Sequence, residues 1–553
     1  GRDASPACSG APGRTQSTDM GDDRQLRRTG VDLGGILRIL GESLYSTPTV
    51  AVRELIQNAH DSCTRRRIES HDGAEPRIVV VARPGDRTLS IEDNGAGLTG
   101  DEIVRYLATV GSGYTRTLRE GAADEGRSLI GQFGIGFLSA FVVADRVEVH
   151  TTSHREPGVG HRFEAQDGET YSLDAAPART VGTRVTLRLK PSAAMLSQPE
   201  AIEALLVKYC ALLSIPIHVG QASSSPVNRP LPPWRTEPAP QGAERARVNL
   251  TFAARYEHAF EPICAFEVGG AEAPARGLVW VQDGATYGTS DNRNVSVFVR
   301  GMLVSTDARD LLPSWAGFCG ALIESDELTP TASREDVQRD PTYERIQKIV
   351  SSALVDGLER TATEAPAAWR RILLRHNEAL LGAALCDDRL FDVLQHQLKL
   401  PTSDGDLTMR AIKSRSGDRI PVSLGERGGY EEIVFRAMGI PGVIGTRYAV
   451  LPFSRKFAER TGTRLIQIGT GTGDREFFAP AEATPAEAEA LETLRGDERF
   501  EVVASRFEPN YLPLLLVPDR EAELKRRMES DEADRRIAPA LLSLARQYTG
   551  GID

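Results

Sequence analysis

The stretch VAVRELIQNAHDSC, residues 50 to 63, limits what the chain can fold into more than any other. Val52, Leu55, Ile56 and Ala59 recur at helical spacing, while Glu54, Asn58 and Asp61 follow one another by four and then three residues. Side chains so spaced share one helix face. The polar stripe is therefore either the solvated side of an amphipathic helix or a row of groups aimed at a ligand. The helix by itself leaves both readings open.

At 553 residues the chain is too long for one core, and roughly 150 residues per domain gives about three or four. Hydrophobic residues make up 40% and charged residues 26%, a globular composition rather than a disordered one. No apolar run approaches the roughly 18 residues of a membrane span, so no membrane association is expected. A formal net charge of -11 argues against a main task of holding DNA. Cys8, Cys63, Cys210, Cys264, Cys319 and Cys386 are far apart, with no C-x-x-C and no histidines at metal spacing. Neither a zinc site nor a disulfide framework is indicated, and a reducing, cytoplasmic setting is expected. Residues 1 to 19 are rich in Gly, Pro and Ser, lack the apolar segment of a signal peptide and precede Met20. Residues 1–23 are read as a disordered leader outside the fold.

From Leu26 to Lys190 helix and strand patterns alternate. VDLGGILRIL and VAVRELIQNA read as helices; PRIVVVA and RTLSIED read as strands joined by the turn PGD; DRVEVHTTS and GTRVTLRLK read as later strands. Helices on one face of a mostly antiparallel sheet follow. The helix PEAIEALLVKYCALL leads to the strand PIHVG, and the Pro/Ser-rich residues 221–244 then form the best linker candidate. A second αβ region carries strands near NRNVSVFVRGMLV and helices in DVQRDPTYERIQKIVSSALVDGLERTA. Residues 430 to 470 read helix, strand, helix, strand. The tail offers strands at ERFEVVASRF and PLLLVP and a charged helix at REAELKRRMES. The expected division is 24–220, 221–244 as linker, 245–475, and a reduced unit at 476–553.

Three further segments bear on the stripe. IEDNGAGLT, residues 91 to 99, ends a strand in a carboxylate followed by a glycine-rich turn. A buried aspartate there can accept donors from a heteroaromatic ring while the glycines let backbone approach it, although DNGAG alone also suits an ordinary Asx turn. GQFGIGF, Gly131 to Phe137, runs into the apolar stretch FLSAFVVA, and free backbone N–H groups at a helix start make an anion site. It matches neither a P-loop nor a dinucleotide-binding fingerprint. Finally, Gly182 and Thr183 open a strand whose hydroxyl could reach an adenine through water.

Taken in order, E-x-x-x-N on a helix, D-x-G-x-G after a strand, G-x-x-G-x-G-F opening a helix and G-T before a last strand resemble the Bergerat ATP-binding fold. That superfamily holds type II topoisomerases, mismatch-repair proteins, sensor histidine kinases and the heat-shock protein 90 chaperones. Longer stretches, SLYSTPTVAVRELIQNAHDS, LIGQFGIGFLSAFVVADRVEV, LLPSWAGFCGALIESDELTPTASREDVQ and VVASRF, look like the heat-shock protein 90 family and its bacterial branch. The resemblance runs from about Leu26 to about Leu400 and more faintly beyond. It implies an α+β chain: an N-terminal Bergerat ATP-binding α/β sandwich, an αβ middle domain, and a small divergent or truncated C-terminal αβ domain.

The resemblance also implies roles. Glu54 becomes the general base or polariser of the attacking water, and Asn58 a ligand of Mg²⁺ through its amide oxygen. Asp93 accepts the adenine amino hydrogen; Gly97 and Thr183 complete the base pocket through water, with Asp61 at its wall and Leu98, where a methionine is common, in its lining. Gly131, Gln132, Phe133, Gly134, Ile135 and Gly136 offer backbone donors to the phosphates, beside Phe137. Arg334 matches the middle-domain arginine that reaches the γ-phosphate, with Gln338 four residues on and so expected on the same helical side. Residues 111–130 fit a lid over ATP. Where many members have paired asparagines and then a lysine, this chain has Arg105, Tyr106 and GSGYTR, with Arg116 available as a cation.

The implied activity is Mg-ATP-driven chaperoning of unfolded or partly folded client proteins. A topoisomerase or mismatch-repair subunit should continue into a domain with a catalytic lysine and basic surfaces; a sensor kinase should place its nucleotide domain last. A non-hydrolysing ATP-binding scaffold is the remaining alternative. The family's homodimer is expected to be weakened here, since only IAPALLSLARQYTGGID follows the tail elements.

Overall fold

The computed structural model describes residues 48–70, 72–109, 136–166, 170–270, 272–284, 291–331, 335–425, 429–447, 449–478, 480–495, 502–507, 511 and 513–515. Outside them lie several expected features: the leader, the helix VDLGGILRIL, the lid segment 111–130, Gly131 to Ile135, Arg334 and the C-terminal helices.

Three sheets follow one another along the chain. The first has seven strands: β1 (Ile78–Arg83), β2 (Thr88–Asp93), β3 (Ala144–Thr152), β4 (Gly160–Ala165), β5 (Tyr171–Ala176), β6 (Gly182–Leu189) and β7 (Ile217–Val219), in the order β5-β4-β3-β6-β2-β1-β7. All neighbours are antiparallel except β1 and β7. Helices Thr49–Glu69, Ala140–Val143 and Pro199–Tyr209 contribute to its one apolar core. Alternation along β2 buries Leu89 and Ile91 and, two residues further, Asp93. The same period on β6 turns Thr183 and Leu187 inward, and on β3 Val147, Val149 and Thr151.

The second sheet contains β8 (Pro262–Val268), β9 (Arg276–Gln282), β10 (Asn294–Val299), β11 (Met302–Ser305) and β12 (Cys319–Ser325), ordered β11-β10-β12-β9-β8. Both faces are covered. Val279 and Val281 join the core with helices Pro341–Glu364 and Pro366–Cys386, while Leu278 and Trp280 face Phe252 of the helix Gly242–Ala254. β9 is accordingly buried at six consecutive residues, 277–282. The expected helix from Asp336 starts only at Pro341. Asp340 caps it by accepting from Tyr343 N at 2.9 Å, and proline at the first position fits a helix start but not the interior.

In the third sheet β13 (Lys399–Thr402), β14 (Gly405–Thr408), β15 (Arg419–Ser423), β16 (Val443–Ile444) and β17 (Arg464–Ile468) are ordered β14-β13-β16-β15-β17. Helices Tyr430–Ala437 and Val450–Thr461 link its three parallel strands. In the tail, 502–507 forms no strand; it joins the fold through the bridge Pro480–Ser505, a hydrogen bond from Ala481 N to Ala504 O (2.9 Å) and the packing of Phe507 on Phe478.

The Pro/Ser-rich segment 221–244 is tied to both neighbours. Buried Asn228 donates to Leu213 O (2.7 Å) and Ile215 O (2.8 Å) and accepts from Ile217 N (3.0 Å). Trp234 Nε1 donates to Glu324 Oε2 at 2.9 Å. The long helix also reaches the second sheet: Arg53 Nη2 donates to Leu303 O at 2.9 Å, and Met302 is buried in the first core.

Candidate nucleotide site

Packing encloses most of the helix that carries the polar stripe. Between residues 50 and 65 of the helix Thr49–Glu69, Asn58 alone is exposed and Ser62 alone half-buried; Glu54 and Asp61 are buried. A solvated stripe would expose all three. The helix is instead enclosed and opens at Asn58. Glu54 lies against the first residue of the 3-10 turn Gly136–Ser139: a β-carbon at Gly136 would fall 2.5 Å from Glu54 Oε2. The end of the glycine-rich segment is therefore held against the glutamate. Phe137 turns its ring into the core, edge-on to Phe141 at 6.1 Å and Phe163 at 6.0 Å, which leaves its backbone as the part facing the turn.

Sheet register builds the other wall. Asp93 is paired across β2 and β6 with Thr183, and Thr183 across β6 and β3 with Thr151. Three inward-facing polar residues thus extend the apolar rows at one end of the sheet. Asp93 Oδ1 accepts from Ser62 Oγ at 2.9 Å and from Gly95 N at 2.8 Å. Burial nevertheless dominates these donors and pushes the carboxyl up to about 7. The Thr183 and Thr151 hydroxyls are 3.0 Å apart, and Thr151 Oγ1 accepts from Leu98 N at 2.9 Å.

Two glycines permit this approach. Gly97 has φ +66°, and a β-carbon there would lie 2.0 Å from Thr152 O; at Gly182 one would lie 2.1 Å from Asp93 O. Leu98 is half-buried beside the core, and Asp61 Oδ1 is 3.5 Å from His60 Nδ1. Among the described residues no group of three or more His, Cys, Asp or Glu side chains is arranged to hold a metal ion.

Ser62 ties Asp93 to the helix that carries Glu54, Asn58 and Asp61; Thr183, Gly97 and Leu98 gather at the Asp93 end of the sheet, and Gly136 meets Glu54. Gln338 does not share a helical side with residue 334, because residues 335–340 are not helical. Val337 bridges Pro330, and Gln338 donates from N to Thr329 O (2.8 Å) and from Nε2 to Pro330 O (3.4 Å). Thr151 and Ser62 escaped the sequence reading. Ser62 was within reach of it, four residues after Asn58 on the same helical side; Thr151 required the strand register.

The fold and the pocket corner define a class, the Bergerat-type ATP-binding domain: residues 45–169 match the family described as "Histidine kinase-, DNA gyrase B-, and HSP90-like ATPase". Residues 281–403, from β9 to β13, match "Hsp90 protein". Both matched segments point to the Hsp90 family. Similar curated proteins are each called chaperone protein HtpG. The one from Chlorobium chlorochromatii is 27% identical over 69% of this chain and 63% of its own length; the one from Methylorubrum populi is 30% identical over 61% and 57%; the one from Rhodopseudomonas palustris is 29% identical over 62% and 58%. The chain thus spans about three fifths of the length of these relatives.

Proposed function

We propose that the chain is an ATP-dependent molecular chaperone in which the first sheet binds the nucleotide and the second assists its hydrolysis. The observation that carries the reading is the polar row Asp93, Thr183 and Thr151, set beside a helix that carries Glu54 and between residues 50 and 65 is exposed at Asn58 alone. Asp93, a buried acceptor, takes the adenine amino hydrogen, and the paired hydroxyls of Thr183 and Thr151 hold water against the ring. Glu54 orients and polarises the attacking water. Asn58, with its exposed amide, would help hold Mg²⁺, which would supply positive charge against the phosphates. Arg334 is assigned the transition-state charge and the backbone of Gly131 to Gly136 the phosphates.

On this reading residues 24–220 form the ATP-binding domain, 245–475 the middle domain and 476–553 a further unit. The names of the relatives support a chaperone acting on unfolded client proteins. Turnover assays test it: the full chain hydrolyses Mg-ATP, and Glu54→Ala lowers turnover to background while ATP affinity stays within about a few fold. Equal loss of both makes Glu54 structural. Turnover stimulated by DNA favours the mismatch-repair class, and binding without turnover a scaffold.

A further inference from the structure

We infer that Arg235 and Glu324 are positioning residues for hydrolysis: their ion pair ties the end of β12, the strand that leads to Arg334, to the turn 210–216 of the nucleotide-binding unit. The inference rests on the reading proposed above and adds to it the residues that set the second sheet against the first.

The turn follows the helix Pro199–Tyr209 and leads to β7, and four consecutive carbonyls in it accept from side chains of the segment 221–244. Arg235 Nη1 donates to Leu212 O at 2.6 Å, Asn228 Nδ2 serves Leu213 O and Ile215 O, and Arg229 Nη2 donates to Ser214 O at 2.8 Å. Carbonyls in a turn have no ladder partner, so these donors satisfy groups that burial would otherwise strand. Leu212 is itself buried, and its side chain joins Leu278, Phe298, Leu303 and Leu322 in the core of the second sheet. Met302 makes the opposite crossing into the first core. Between the two crossings the backbones touch: a β-carbon at Gly301 would lie 2.7 Å from Leu212 O.

Glu324 closes the arrangement. One of its oxygens pairs with Arg235 Nη2, and the other accepts from Trp234 Nε1 at 2.9 Å, with the indole edge-on to Phe252 at 5.4 Å. A single guanidinium thus holds a carbonyl of the nucleotide-binding unit and a carboxylate of β12. Burial pushes the Glu324 carboxyl up while Arg235 and Trp234 pull it down, so the buried charge depends on this arginine. Beyond Glu324 the chain is fixed at short intervals. Ser325 Oγ donates to Pro274 O at 2.6 Å and accepts from Glu327 N at 3.1 Å and Leu328 N at 3.2 Å. Gln338 N then donates to Thr329 O and Thr331 N to Asp336 O, both at 2.8 Å, which folds the chain back on either side of the stretch that carries Arg334. A shift of Glu324 is therefore passed along rather than absorbed. A misplacement of about 1 Å costs on the order of 10²-fold when a group must meet a transition state.

Mg-ATP turnover by the full chain, with ADP affinity measured by calorimetry on the same samples, tests this in two variants. Arg235→Ala removes the tie; Glu324→Gln breaks the ion pair while keeping an acceptor for Trp234 and leaving no buried carboxylate unpaired. Each is expected to lower kcat about tenfold and to leave KM and ADP affinity within about twofold. On an Arg334→Ala background the same substitutions should lower kcat by less than about twofold, because the contact that they position is already gone. Wild-type kcat in both variants, a loss that persists in full on the Arg334→Ala background, or ADP binding lost together with turnover overturns the inference alone. No turnover by the wild type, or full turnover by Arg334→Ala, overturns the proposed mechanism and the inference with it.

Discussion

Two carboxylates, Asp93 in the first sheet and Glu257 beside the second, each have 7% exposure and differ in what surrounds them. Glu257, beside the second sheet, is saturated. It accepts from Trp280 Nε1 (2.8 Å), Gln282 Nε2 (2.9 Å), Asn294 Nδ2 (3.0 Å) and Ala259 N (3.0 Å), and these donors hold its pKa below the usual glutamate value despite burial. Asp93 leaves the same fraction of its surface exposed but lies deeper in the protein, and its donors do not offset that burial, which raises its pKa to about 7. A saturated buried carboxylate serves the fold. On the proposed reading, an under-compensated one at the end of a sheet awaits a ligand that completes it.

The two groups also bend stability with pH in opposite directions. The native chain keeps the Asp93 proton up to about 7, whereas the unfolded chain releases it near the ordinary value of 3.8. Stability therefore falls as pH rises through that window. For Glu257 the native state releases its proton first, so its contribution is present above the ordinary value of 4.5 and is lost as pH falls through its lowered pKa.

The largest expected effect tests whether the second region is only scaffold. Arg334→Ala should lower turnover by on the order of 10³-fold and leave ATP affinity nearly unchanged, because the proposed contact forms in the transition state. If residues 20–220 alone turn over ATP as fast as the whole chain, the second region contributes no chemistry. Next in size, Glu257→Ala should cost about 3 kcal/mol or more of stability in urea unfolding, since it strands several buried donors. ADP affinity should not change. An unaltered unfolding midpoint would erase the distinction between the two carboxylates.

Much of this contrast could be read from residue order, and some could not. The helix from Thr49, the hairpin of β1 and β2 and the alternation from Tyr430 to Ile468 follow from periodicity and turn residues. The choice of Glu54, Asn58 and Asp93 rests instead on the resemblance, whose boxes come in a fixed order. β5 carries almost no apolar alternation, lying mostly exposed along YSLDAA, and β4 shares its edge of the sheet. Thr151 joins the pocket through strand register, which depends on three strands far apart in the chain. Gln338 was placed by assuming a helix that the Asp340-Pro341 cap delays. Glu257 gives no sign in the sequence, since its donors come from β9, β10 and the turn after it.

The central claim is that Asp93 is kept for the nucleotide and not for the fold. Calorimetry and urea unfolding of the full chain, wild type against Asp93→Asn, measure both halves at a pH above about 7, where the native carboxylate is ionised. The substitution replaces an acceptor by a donor opposite the adenine amine and also removes a buried charge. ATP-analogue binding should weaken by about 1–3 kcal/mol, while the unfolding midpoint stays level or rises. Unchanged affinity, or a loss of stability to match the loss of binding, would place Asp93 beside Glu257 as a group that serves the fold.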